Sequence, residues 1–208
     1  MANCKECNTK IAGINYYLKS KLCKDCQEIV GAREIVNNLN SDATRCQEIF
    51  DEIEYFDSKL DEIEKGRGFK GHKNTLNKKI YDLAVEGAKR SEKIDYFRFL
   101  FLFKKAQALL ALDGGNPRKN FYTAIKYIDQ SLEISEKNKK IKKGNDFIAL
   151  ILNMWQFKLM ISDALGEHDK SFLCNKKVKE ITEYMKKRKI PLADCNKEFN
   201  YGMKPQKN

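Results

Sequence analysis

Two cysteine pairs constrain this chain more than any other feature. Two residues separate Cys4 from Cys7 and two separate Cys23 from Cys26, with fifteen residues between the pairs. Four-cysteine zinc sites use this spacing, because each tight turn delivers two sulfurs and the segment between them brings the turns together. Ile11 to Leu22 is long enough for a hairpin that does so, and Asn8 suits the left-handed backbone such turns adopt. Four thiolates complete the tetrahedron and leave no open position for water or substrate. The expectation is therefore one structural Zn2+ held by Cys4, Cys7, Cys23 and Cys26, and no catalytic metal. Disulfides are not expected. The opening Met1-Ala2-Asn3-Cys4-Lys5 has no apolar stretch of the signal-peptide kind, which points to a reducing cytoplasm. At 208 residues, size alone calls for no covalent staple.

The residues after Cys26 indicate the kind of module. Ile29, Ala32, Val36 and Leu39 recur at the intervals of an amphipathic helix, so the second pair is expected at a helix start. A zinc ribbon would have a strand there. The segment from Cys4 to about Asn40 resembles the short four-cysteine treble-clef modules at the N-termini of many bacterial and phage proteins. The resemblance implies a β-hairpin plus helix around the metal. Such a module either caps the fold or also contacts nucleic acid or protein through Lys5, Lys10, Lys19, Lys21 and Lys24, with Glu6 and Asp25 mixing the surface.

From Ser41 onward the apolar spacing is helical and no segment alternates with strand period, so the chain is expected to be mostly α. Three prolines in the whole chain leave room for long helices. Ser41 or Asp42 is positioned to cap a helix bearing Cys46, Ile49, Ile53, Phe56, Leu60 and Ile63. The next helix carries Leu76, Ile80, Leu83 and Gly87 on one side and runs to about Ser91. Ile94 to Leu112 is apolar nearly all round and reads as central. Gly114-Gly115-Asn116-Pro117 stops it and starts a helix striped by Phe121, Ile125, Ile128 and Leu132. Gly144 precedes a helix from about Asp146 to Leu165, and Gly166 precedes a last one with Cys174, Val178, Ile181 and Met185 in line. Arg98, Lys104 and Lys105 interrupt one apolar window and Asn153, Gln156 and Lys158 the other, so both read as buried helices rather than membrane spans. The expected organisation is a zinc module at 1–40, an antiparallel α-helical hairpin array or bundle at 41–190, and a tail at 191–208.

The stretch Asn120-Phe121-Tyr122-Thr123-Ala124-Ile125-Lys126-Tyr127-Ile128 to Leu132 resembles the second helix of a tetratricopeptide repeat. About 47 residues on, a longer period than the usual 34, Trp155, Gly166, His168 and Ser171 occupy positions similar to that family's tryptophan, glycine, aromatic and small residues, with Asn175 in place of the later aromatic. The resemblance implies a curved helical array with a concave face for a protein or peptide partner.

The formal charge of +11 falls to +9 when four thiolates bind one divalent zinc. The excess is lysine, with only seven arginines, which disfavours base reading. Residues 46–65 carry −6 and residues 66–143 carry +11, so segments of opposite sign can neutralise each other where hairpins touch. Gly66-Arg67-Gly68-Phe69-Lys70-Gly71 fits a dinucleotide fingerprint but follows a helix, not a strand. That loop reads as a solvated turn, or as a nucleic-acid grip in which Lys65, Arg67, Lys70, His72 and Lys73 meet phosphates and Phe69 stacks on a base. Lys139, Lys140, Lys142 and Lys143 form a second candidate contact. The two histidines, His72 and His168, accompany no recognisable nucleophile, and the acidic helix lacks the Glu-x-x-His spacing of a di-metal site. Cys46 and Cys174 fall on apolar stripes. The expected function is a non-enzymatic, zinc-stabilised scaffold for a protein or peptide partner, away from membranes; the alternative is a nucleic-acid-binding regulator, of the kind a phage or other mobile element encodes, using the zinc module and basic loops.

Overall fold

The structure, a computed structural model, describes residues 2–3, 10–11, 24–67 and 70–191. The chain divides into two compact units between Arg45 and Cys46, a division that falls within a helix.

In the first unit, β1 (Ala2–Asn3) and β2 (Lys10–Ile11) pair antiparallel, with Ala2 opposite Ile11 and Asn3 opposite Lys10. Helix α1 (Lys24–Glu64) begins on the residue after Cys23. Cys4, Cys7 and Cys23 lie outside the described residues, as does the hairpin expected over 11–22 apart from Ile11; the backbone of Cys26 lies in the first turn of α1. No helix starts at Ser41 or Asp42, which sit inside α1. The reason is phase. Leu39 and Cys46 are seven residues apart, so the stripe from Ile29 continues in register into Ile49 and Ile53, and after Gly31 no glycine or proline interrupts it before Gly66.

The second unit is helical. It takes α1 from Cys46 onward, a 3-10 turn at Lys70–His72, and six further helices: α2 (Lys73–Arg90), α3 (Asp95–Ala111), α4 (Pro117–Lys137), α5 (Lys139–Lys143), α6 (Asn145–Leu165) and α7 (His168–Arg188). Local chemistry sets the breaks. Gly114 and Gly115 hold positive φ, and Asn116 accepts a hydrogen bond from the Lys119 N–H at 3.2 Å with Pro117 in the first turn of α4. Gly166 ends α6 in the left-handed region.

Each long helix packs against the next in an up-and-down order, α2 on α3, α3 on α4, α4 on α6 and α6 on α7. The cross-links show the alternation. Asn77 near the start of α2 donates to the Ala111 carbonyl at the end of α3, at 2.9 Å. Asn138 beyond α4 donates to Asp95 at the start of α3, and Tyr122 early in α4 reaches Glu167 beyond α6, both at 3.2 Å. One core joins Phe99 and Phe103 of α3, Ala124 and Ile128 of α4, and Met154 and Phe157 of α6. A second joins Ile148 and Leu152 of α6 to Met185 and to Ile190 beyond α7. Helix α6 is the one helix among the described residues long and apolar enough to cross a bilayer, but it packs on two sides, which accounts for its apolar circumference.

Gly87 lies where α2 meets α3. A Cβ there would stand 2.6 Å from the ring of the fully buried Phe101, itself stacked on Phe97 at 6.1 Å. Gly87→Ala gains about 1 kcal/mol of helix propensity but overpacks a ring with nowhere to move. The expected result is a net loss of about 1–2 kcal/mol in urea unfolding. A variant more stable than the parent would show that the α2–α3 interface is looser than described.

Candidate functional site

A groove of about 320 Å³ opens between α4, α6 and α7. Ile148, Ile151 and Trp155 of α6 form its apolar floor, one helical face at spacings of three and four. Leu132 of α4 and Ile181 and Tyr184 of α7 form the apolar parts of its walls. Its charged rim holds Glu136, Lys142, Lys177 and Glu180. Lys177 and Glu180 hydrogen-bond at 2.9 Å, and that bond holds the Glu180 carboxyl below its ordinary range, with Lys176 adding to the effect. The positions come together only because α7 folds back on α6. Of the floor and walls, the repeat-like pattern singled out Leu132 and Trp155; the spacing of Ile148, Ile151 and Trp155 was the unused signal.

A second, polar cleft of about 140 Å³ lies between α1, α2 and α3. Its charges are already matched. Lys104 meets Asp57 at 2.7 Å, and two turns further along α1 Lys73 meets Glu64 at 3.0 Å. These two contacts tie the acidic helix to the basic segment after it. Among the described residues no group of three or more histidine, cysteine or carboxylate side chains is placed to hold a metal ion.

The basic candidates separate into two sets. Lys65 pairs with Asp61 at 3.5 Å, Arg67 and His72 are exposed, and Lys73 is bound to Glu64. Phe69 lies outside the described residues, and Lys70 opens the 3-10 turn. Lys139, Lys140, Lys142 and Lys143 lie on α5, which Asn138 caps by accepting from the Lys140 N–H at 3.0 Å, while Ile141 is buried. The first set lies at the end where α2 starts and the second at the end where α4 stops, about 25 Å apart along 17-residue α3. They do not form one surface. Cys46 and Cys174 are buried, and burial raises the Cys174 thiol above its usual range. Cys195 lies outside the described residues. Comparison with protein-family models, curated proteins and solved structures finds no match.

Proposed function

We propose that this chain is a non-enzymatic helical scaffold that binds a protein or peptide in the groove between α4, α6 and α7. The observation that carries the reading is the groove itself, whose volume falls in the usual range for binding sites and whose apolar floor is edged by charge. Such a surface suits a short amphipathic segment that sets apolar anchors against the floor and polar groups against the rim. The tetratricopeptide-like pattern in α4 agrees with this use. In the same reading Cys4, Cys7, Cys23 and Cys26 hold one zinc in a treble clef that organises the N-terminal unit, and the protein works in a reducing compartment that keeps those thiolates available.

The test is selection from a displayed peptide library on the full-length protein, followed by affinity measurement. Trp155→Ala and Ile151→Glu are each expected to weaken a selected peptide at least about tenfold, as truncation of a buried aromatic anchor does. Tyr55→Ala, at a site 58% exposed on α1, should leave it unchanged. Failure to select any peptide, or selected peptides indifferent to both groove variants, refutes the groove.

A further inference from the structure

The up-and-down order of the helices gathers positive charge at one end of the second unit. Residues 46–52, 86–98, 133–148 and 183–191 lie at that end and contain thirteen lysines and arginines against ten acidic residues, three of the ten on α1. The opposite end, residues 61–78, 107–122 and 161–172, contains eight against seven. At the basic end Arg90 is held by Glu86 and Lys137 by Glu133. Lys89, Lys93, Lys139, Lys140, Lys186, Lys187 and Lys189 are exposed there and make no ion pair among the described residues. Two rings stand among these lysines. Tyr96 is 44% exposed with its ring edge-on to Phe147, and Tyr184 is 42% exposed under Arg188 at 5.3 Å.

We infer that this end is a binding surface for single-stranded nucleic acid, a role beyond the groove reading, with which it shares the Tyr184 ring. Helix ends of neighbouring packed helices lie about 10 Å apart, so the three basic segments form a row that a flexible phosphate backbone can follow. Lysines act on it as point charges without reading sequence, and exposed rings held by their neighbours offer faces on which unpaired bases stack. A membrane fits less well. The exposed apolar pair suited to insertion, Phe172 and Leu173 at 72% and 60%, lies at the start of α7, the far end from these lysines.

The experiment is fluorescence anisotropy of the full-length protein with a labelled oligothymidylate of about 20 nucleotides, the same length of duplex, and phosphatidylserine vesicles. With about four phosphates engaged, single-strand affinity should fall about 50-fold between roughly 50 and 200 mM salt. Combining Lys139→Glu, Lys140→Glu and Lys187→Glu should weaken binding at least about tenfold and flatten the salt dependence, with the helical circular dichroism unchanged. Arg118→Glu with Lys119→Glu, at the opposite end, should change affinity less than about twofold. No binding at low salt, equal losses in both variants, tighter binding to duplex, or binding to vesicles alone would each overturn the assignment.

Discussion

Replacing Phe99 with alanine is expected to lower the stability of the second unit by about 3–5 kcal/mol, the usual cost of emptying a buried aromatic site. Phe99 is fully buried at the meeting of three helices. Its ring lies edge-on to Phe147 of α6 at 6.0 Å, and its carbonyl accepts a hydrogen bond from the buried Ser131 hydroxyl of α4 at 2.7 Å. Removing the ring leaves a cavity that the surrounding helices cannot close without breaking that bond. Typical domains hold about 5–15 kcal/mol in all, so the loss is a large share of the total and should lower the melting temperature by about 10 °C. Phe172→Ala serves as the comparison. That ring is 72% exposed, and its removal should change stability by less than about 0.5 kcal/mol. Urea titration of both variants checks the pair; a shift under about 1 kcal/mol for Phe99→Ala would mean that α3 is not the central helix.

The helix breaks were legible because the chemistry that makes them is local. Asn116-Pro117 and Gly166 specify their own backbone, and α4 and α6 begin and end accordingly. Ser41 and Asp42 misled for the same reason, since a capping residue is recognised without asking whether the apolar stripe changes phase. In α2 the buried face is Asn77, Ile80, Ala84 and Gly87, one position away from the expected Leu76 and Leu83, because Asn77 is buried to close the end of α3 and a hydrophobicity pattern passes over it. Helix α5 was hidden inside a lysine run whose buried position is Ile141. The groove and the basic end were out of reach. Both are assembled from separate segments that only the reversing helices bring together, and summing charge along the sequence mixes the two ends those helices separate.

With Cys4, Cys7, Cys23 and Cys26 holding one zinc, as proposed, stripping that metal should be the largest single change available to this protein. Structural zinc in small modules contributes about 10–16 kcal/mol of apparent binding energy at neutral pH, more than such a module can hold by burial alone. Protein purified without chelator and carrying Cys195→Ser is expected to hold one zinc, released as four thiolates are titrated with a mercurial, because Cys46 and Cys174 are buried in the second unit. Combining Cys23→Ser with Cys26→Ser removes half the ligands, and the remaining two sulfurs cannot complete a tetrahedron. The metal should be lost. Amide exchange should then accelerate from Lys24 through Arg45, the stretch of α1 in the first unit, while α3, α4 and α6 keep their protection because their cores are made within the second unit. Wild-type protein with no metal, or a double serine variant that retains zinc and the same exchange pattern, would remove the zinc site from the account of this fold.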